Sequence, residues 1–187
     1  MDTTSRRIAQ IAGQIEPTPV SASVVRELLV NQRQRVNRSV TLNEWKSLVG
    51  KELGVGQWFT VTQDRVNAFA DATGDFQWIH TDPDRAKKES PFGSTIAHGY
   101  LTLSLLPLLM EEIIPKIEGA KMGVNYGLNK VRFISPVHVG SRIRVRAVLQ
   151  ETTTVPSGVQ NTLQVTVERE NEKKPVALVE CLARVYV

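Results

Sequence analysis

The longest apolar segment of the chain runs from residue 96 to residue 117 and limits the folds that are open to it. The segment contains six residues that a membrane-spanning helix rarely tolerates: His98, Gly99, Pro107, Glu111, Glu112 and Pro115. Because apolar side chains nevertheless occupy nearly all sides, the pattern predicts one helix, about 33 Å long at ~1.5 Å per residue, buried at the centre of a domain. No membrane partner is expected.

Four runs of alternating apolar and polar residues follow this segment, at 123–134, 142–154, 160–170 and 175–187. Such alternation is typical of β-strands with one buried face. Turn-forming residues at 156–158 and 171–175 favour an antiparallel meander of the last three strands. The predicted fold class is therefore α+β, with one long central helix wrapped by a curved antiparallel sheet.

Shorter elements are predicted before the central helix. Residues 57–61 have the pattern of a strand, and Thr62 can cap a helix that Gly74 ends. Pro83 can open a short helix through residue 88. We divide the chain into an N-terminal extension, residues 1–45, with a helix at 23–34 after a proline-containing loop, and one domain, residues 46–187.

Charge and cysteine content exclude several classes of protein. The net charge of +4 is spread along the chain, whereas a nucleic-acid partner would favour a dense basic patch interleaved with aromatic residues. The single cysteine, Cys181, excludes an internal disulfide, and no Cys/His cluster has the spacing of a zinc site. Cys181 is expected to be a small buried hydrophobe. We expect a cytoplasmic protein that binds no nucleic acid.

Asp75 and His80 are the first candidates for chemistry, five residues apart in a predicted loop at 75–81. A loop can turn both side chains toward one point. An imidazole titrates near neutral pH, and a carboxylate can orient it or share its proton transfers, so the pair can hold and polarise one water molecule. An aspartate after a glycine also commonly caps a turn, and a histidine beside an apolar residue is often part of the core, so both interpretations stay open on these residues alone.

A second loop, at 92–99, leads into the apolar segment and contains two glycines. Backbone N–H groups at a helix start lack helical partners and can receive a developing oxyanion. A thioester carbonyl could be bound there, with Gly93, His98 and Gly99 in the supporting region.

Three sequence motifs together resemble the MaoC-like family of (R)-specific enoyl-CoA hydratases. They are Gly74-Asp75-Phe76-Gln77-Trp78-Ile79-His80, Phe92-Gly93-Ser94-Thr95-Ile96-Ala97-His98-Gly99 and Arg132-Phe133-Ile134-Ser135-Pro136-Val137-His138-Val139-Gly140. The family patterns are Gly-Asp-x-Asn-Pro-Ile/Leu-His, Phe-Gly-x-x-Ile-x-His-Gly and a strand ending in Pro-Val-x-x-Gly. Gln77 and Trp78 replace the commoner Asn-Pro, which is more similar to the nodulation protein N-like branch. The resemblance spans about residues 50–187.

The resemblance implies a hot-dog fold and a hydro-lyase that needs no cofactor and no metal. It would hydrate trans-2-enoyl thioesters to (R)-3-hydroxyacyl products, or catalyse the reverse dehydration, with coenzyme A entering only as part of the substrate. Asp75 and His80 would bind the catalytic water, with their two proton-transfer roles unassigned. Ser104 would help to orient the aspartate, or would bond only to its own helix backbone. His98 would serve structure at the junction of loop and helix.

Other residues are assigned to the substrate or to the surface. Gln77, Trp78 and Phe92 would shape the acyl pocket, with plain core packing as the alternative for Trp78. Candidates for the coenzyme A phosphates are Lys87, Lys88, Lys130 and Arg132, although surface lysines are usually only solvated. His138 is expected to face solvent on a strand. Asp82, with Asp75 and His80, has no recognised metal spacing.

A homodimer is expected, since hot-dog proteins usually pair two sheets. Two other functions remain open. One is a hot-dog acyl-CoA thioesterase, which would usually place its acidic residue differently. The other is a non-catalytic domain that binds acyl thioesters or regulates a partner.

Overall fold

Six helices and eight strands make up residues 38–187, the part of the chain that this computed structural model describes. The helices are α1 (Leu42–Ser47), α2 (Gln63–Thr73), α3 (Trp78–Thr81), α4 (Pro83–Glu89), α5 (Gly99–Ser104) and α6 (Leu106–Met110). The strands are β1 (Ser39–Val40), β2 (Glu52–Val55), β3 (Phe59–Thr60), β4 (Lys116–Ile117), β5 (Met122–Phe133), β6 (Arg142–Val155), β7 (Gly158–Arg169) and β8 (Ala177–Tyr186). The helix predicted at 23–34 and the loop before it lie outside the described residues.

The main sheet has the strand order β2-β6-β7-β8-β5, with β3 also paired to β6, and all of its pairings are antiparallel. Strands β6, β7 and β8 are joined in sequence, so the predicted meander is confirmed. Ser157 and Asn171, in the two connecting turns, have φ values of 61° and 62°, a left-handed conformation that asparagine tolerates better than most residues. The four predicted strand runs agree with the observed strands to within two residues at each end.

Alternation along the strands separates a buried face from an exposed one. On β6, Ile143, Val145 and Leu149 are buried in the core with Leu101 and Leu109 of the helical layer. The opposite face of β6 carries a row of arginines, which pair with glutamates on β7, just after β7 and on β2: Arg144 with Glu168, Arg142 with Glu170, and Arg146 with Glu168 and Glu52. Such exposed pairs contribute little to stability, so the apolar face holds the layers together.

The predicted single helix over 96–117 is wrong. Backbone N–H groups of Ile96 and Ala97 donate to Ile79 O at 3.0 Å and Val137 O at 2.8 Å, so these two residues join neighbouring segments instead of starting a helix. Helix α5 ends at Ser104, and α6 begins beside Pro107, whose missing N–H cannot continue the helical bonding pattern. The end of the segment forms β4.

Residues just before the predicted domain boundary belong to the domain. Strand β1 pairs in parallel with β4, through Val40 and Ile117. Trp45 on α1 is only 2% exposed, and its Nε1–H donates to Asn161 Oδ1 at 2.9 Å. These contacts show that the domain begins before residue 46. The sequence did not indicate this, because one buried tryptophan among polar neighbours gives no periodic signal.

Candidate active site

Helix α2 leads directly to Asp75. It begins after Thr62, whose side chain accepts a hydrogen bond from Arg65 N at 3.3 Å, and ends at Gly74, as predicted. Gly74 has a φ of 77°, the left-handed conformation that favours glycine at a helix end. This turn takes Asp75 out of the helix and leaves its side chain exposed, with Gln77 N 3.4 Å from Oδ1.

His80 lies on the one-turn helix α3, which replaces part of the predicted loop. It is 7% exposed, and its Nδ1 lies 2.7 Å from Ile96 O. Because a carbonyl oxygen only accepts, Nδ1 carries a hydrogen and donates it. The neutral ring therefore has its lone pair on Nε2.

Burial lowers the pKa of His80 below its ordinary value, and the neighbouring His98 adds to this shift. The hydrogen bond to Ile96 and the nearby Asp75 act in the opposite direction. Since the net direction is downward, His80 is neutral near pH 7 and its Nε2 can accept a proton.

His98 completes a cluster with Asp75 and His80. It is 2% exposed, its Nε2–H donates to Asp75 O at 3.0 Å, and its ring centroid is 3.9 Å from that of His80. One carboxylate oxygen and one nitrogen from each imidazole lie within 4.8 Å of one another. The predicted pair is therefore close enough for both side chains to hydrogen-bond to one water molecule.

The same cluster could offer two nitrogens and one oxygen to a metal ion. Each imidazole already donates one N–H to a carbonyl, which leaves His80 Nε2 and His98 Nδ1. Within residues 38–187, His98 Nδ1 is buried without a hydrogen-bond partner. No metal was predicted from the sequence.

The loop before α5 narrows the candidates for an oxyanion donor. Gly93, with a φ of 67°, donates its N–H to Ser90 O at 3.1 Å, and the amides of Ile96 and Ala97 are also engaged. His98, at the N-cap of α5, makes no side-chain capping bond. The candidates for the oxyanion donor are therefore the backbone N–H groups at the start of this helix. A Cβ on Gly99 would lie 3.0 Å from the ring of Phe133, which explains why glycine stands there.

Ser104 does not bond to Asp75. Its Oγ–H donates to Tyr100 O at 2.8 Å within α5, and its side chain is exposed. Of the two interpretations of this serine, the structure shows the bond to the helix backbone. Six residues of helix place Ser104 about 9 Å along the axis from His98.

The other predicted contact residues are exposed or half-buried. Gln77 is exposed before α3, Phe92 is exposed in the second loop, and Trp78 is half-buried with the Arg85 guanidinium 4.5 Å from its ring centroid. The candidate phosphate contacts are also exposed: Lys87 and Lys88 in the last turn of α4, and Lys130 and Arg132 on β5. Their ligand roles remain predictions.

Gln63 is a further site residue that the sequence analysis missed. Its Nε2–H groups donate to His80 O at 2.7 Å and to Asn67 Oδ1 at 2.8 Å, and its Oε1 accepts from the buried hydroxyl of Thr95 at 2.7 Å. The side chain thus connects the backbone at His80 with the loop before α5. A polar residue in the first turn of a helix is common, and no sequence signal distinguishes this one.

His138 does not face solvent as predicted. It is half-buried, and its Nδ1 lies 2.9 Å from Ser94 Oγ. Burial and then Arg169 lower its pKa. All three histidines of the chain therefore contact or belong to the segment of residues 94–98.

Two mainly apolar cavities border helix α6 and strands β5, β7 and β8; the one that also borders α5 is called the near cavity and the other the far cavity. The near cavity, about 480 Å³, is bordered by Leu103, Ser104, Leu128 and Cys181 among others. The far cavity, about 750 Å³, is bordered by Trp45, Asn161 and Ile114 among others. Burial raises the pKa of Cys181 to about 11, so the thiol stays protonated in the wall of the near cavity.

Residues 44–173 match the family model described as the MaoC like domain. The chain belongs to the MaoC-like family. It is 48% identical over 145 residues to nodulation protein N of Rhizobium meliloti (strain 1021), covering 77% of this chain and 90% of that protein. It is 50% identical over 136 residues to 3-hydroxyacyl-thioester dehydratase Z of Mycobacterium tuberculosis (strain ATCC 25618 / H37Rv), covering 72% and 89%.

Solved structures confirm the α+β hot-dog architecture of this MaoC-like chain. A monoamine oxidase regulatory protein from Archaeoglobus fulgius superposes with a TM-score of 0.65 at 25% identity, covering 80% of this chain and 97% of that one. The R-hydratase PhaJ1 from Pseudomonas aeruginosa superposes with a TM-score of 0.58 at 23% identity, covering 71% and 82%. Within residues 38–187, no helix is long and apolar enough to cross a membrane.

Proposed function

We propose that this MaoC-like protein is a hydro-lyase that interconverts trans-2-enoyl thioesters and (R)-3-hydroxyacyl thioesters, with coenzyme A bound only as part of the substrate. The observation that carries the proposal is the approach of the Asp75 carboxylate to the His80 imidazole within 4.8 Å. A relative named as a 3-hydroxyacyl-thioester dehydratase and a structural neighbour named as an R-hydratase support the reaction class.

The proposed reaction uses one water molecule held between Asp75 and His80. As the water oxygen bonds to C3 of the enoyl group, one of the pair takes a water proton and the other helps to deliver a proton to C2. The carbonyl oxygen of the thioester gains charge and is stabilised by an N–H at the start of α5, near Gly99. Dehydration is the reverse of these steps.

Incubation with short and medium enoyl-CoA substrates tests this proposal. Hydration removes the ultraviolet absorbance of the enoyl group without releasing free thiol, whereas a thioesterase releases thiol. A folded Asp75→Asn protein is the matched control and should show strongly reduced loss of absorbance. Thiol release without loss of the double bond would contradict hydration and favour the thioesterase.

We also propose that the protein is a homodimer. Strand β5 pairs with β8 on one side, and no described strand pairs with its other edge. Large apolar side chains are exposed along or beside β5: Tyr100, Met122, Tyr126, Leu128 and Phe133. A second copy would cover both the open edge and these side chains. Light scattering should give the mass of a dimer, and a stable monomer at working concentration would contradict this.

A further inference from the structure

His98 is a buried imidazole that uses only one of its two ring nitrogens. The ring is 2% exposed, and its Nε2–H donates to Asp75 O at 3.0 Å. In the neutral ring the lone pair is then on Nδ1. Among residues 38–187 this buried atom has no hydrogen-bond partner, although most buried polar groups in proteins have one. The free lone pair is suited to a water molecule or to a metal ion.

His80 has the same arrangement, and its ring centroid is 3.9 Å from that of His98. Its Nδ1–H donates to Ile96 O at 2.7 Å, which leaves the lone pair on Nε2. A histidine that binds a metal ion almost always donates its other ring N–H to a carbonyl, a carboxylate or water, and this bond fixes the orientation of the ring. Both imidazoles are therefore already held by main-chain carbonyls in a tautomer that can bind a metal ion.

Asp75 supplies a third group to the cluster. One carboxylate oxygen and one nitrogen from each imidazole lie within 4.8 Å of one another. The ligand atoms of a tetrahedral zinc ion are about 3.4 Å apart, since each lies ~2.0–2.2 Å from the ion. The Asp75 side chain is exposed, so it can change rotamer to shorten these distances and leaves the cluster open to an ion from solvent.

The chemistry of the three groups selects the kind of ion. Two imidazoles and one carboxylate are a common ligand set for Zn²⁺ and leave its fourth position open to water. Mg²⁺ prefers oxygen ligands and keeps several of its own waters, so it is a poor match for two ring nitrogens. Zinc is therefore the ion that this cluster should bind.

We infer that Asp75, His80 and His98 form a reversible inhibitory site for Zn²⁺. The bound ion occupies the carboxylate oxygen and the Nε2 lone pair of His80, so neither group can accept a proton from the catalytic water. Binding of the ion depends on the cluster alone, whereas inhibition rests on the proposed function. The ion takes no part in the proposed reaction.

Zinc binding to the untagged full chain tests the site without an activity assay. Protein freed of metal is titrated with Zn²⁺ in competition with a chromophoric chelator, and one ion should bind per chain. Asp75→Asn and His98→Gln should each weaken binding at least tenfold, since loss of even the hydrogen-bond partner of a metal ligand typically costs about 10–100-fold in affinity. His98→Gln retains an N–H donor for Asp75 O while removing the imidazole lone pair.

His138→Asn provides the matched control, because the chain has three histidines and His138 is the one outside the cluster. Its zinc affinity should equal that of the wild-type protein. Absence of stoichiometric binding to wild type would overturn the inference. Unchanged affinity in both cluster variants, or loss of binding in His138→Asn, would overturn it as well, because the ion would then bind elsewhere.

The second measurement follows hydration of enoyl-CoA at a free Zn²⁺ concentration that saturates the site. Turnover should fall by about 10² or more, as it does when acid–base groups are lost, and an excess of chelator should restore it. The same concentration of Mg²⁺ should leave turnover unchanged. Full turnover by the zinc-loaded protein would overturn the inference. Failure of the chelator-treated protein to hydrate any enoyl thioester would overturn the proposed function and the inhibition, while the titration would still establish the zinc site.

Discussion

His80 and His138 both contact the same segment, residues 94–98, but their ring nitrogens meet different kinds of partner. His80 donates Nδ1–H to a main-chain carbonyl, which fixes one tautomer and leaves the lone pair of the ring on Nε2. His138 meets the hydroxyl of Ser94, which can donate or accept and therefore fixes neither tautomer. Burial lowers the pKa of both histidines, so a lowered pKa does not by itself distinguish a reactive imidazole. The fixed tautomer of His80 and the nearby carboxylate of Asp75 distinguish His80 from His138.

The largest change in turnover is expected when the proposed reactive groups, Asp75 and His80, are removed. His80→Ala and Asp75→Asn should each lower turnover of enoyl-CoA by about 10² or more, the scale of lost acid–base catalysis. Because both side chains act on the same water, the double variant should resemble the worse single one. Absorbance assays on the folded variants measure this, and near-wild-type turnover in a folded His80→Ala protein would end the proposed mechanism.

Loss of the hydrogen bonds that Gln63 makes should lower kcat less than loss of His80 itself. Gln63→Met removes the bonds to His80 O and Thr95 while keeping a side chain of similar length, and should lower kcat about tenfold through misplacement of His80. KM should change less. Thr95→Val, which removes only one of these bonds, is the matched control and should lie between Gln63→Met and wild type. A folded Gln63→Met protein with full kcat would show that the bridge does not position His80.

Protonation of His80, and not of His138, should determine the acid limb of the pH profile if His80 is the member of the pair that takes the water proton. Its pKa is lowered, chiefly by burial, so the ring stays neutral until the pH falls below about 6.5, the ordinary value for histidine. The acid limb of kcat/KM should therefore lie below that pH. The unfolded state binds the proton first, so stability also decreases as the pH falls from about 6.5 through the folded-state pKa. An acid limb above pH 6.5 would contradict this assignment.

The smallest effect on kcat/KM is expected from substitution of His138. His138→Asn should leave kcat/KM within about threefold of wild type, since this residue faces Ser94 and not the proposed water. The position of the acid limb should also be unchanged. A shift of that limb in the variant would show that His138 contributes to catalysis and would remove the contrast with His80.

The sequence predicted those helices and strands that depend on interactions between residues close in the chain. Thr62 and Gly74 bound helix α2 as expected, and alternation located the four long strands. The approach of Asp75 to His80 followed from a loop between helices together with the family resemblance. These features depend on residues that are close in sequence or on motifs of fixed spacing.

The remaining features depend on contacts between residues distant in sequence. Ile96 and Ala97 are drawn out of the predicted central helix by carbonyls of Ile79 and Val137, and neither partner is visible in the apolar pattern. Trp45 is buried, and its indole N–H donates to Asn161, 116 residues away. Ser104 has the family spacing, yet its hydroxyl bonds within its own turn, and side-chain direction is not encoded in spacing.

The meander described above also has a consequence for the order in which the molecule assembles. Strands β6, β7 and β8 are linked by short turns, so their pairing closes small loops and can form early. The cluster of Asp75, His80 and His98 needs segments around residues 63, 79, 96 and 137 to meet, and so forms late. Such late-forming parts open locally at low free energy while the sheet stays folded. Reactivity in this protein is therefore a property of the fully assembled state, and it should be the first to disappear on gentle destabilisation.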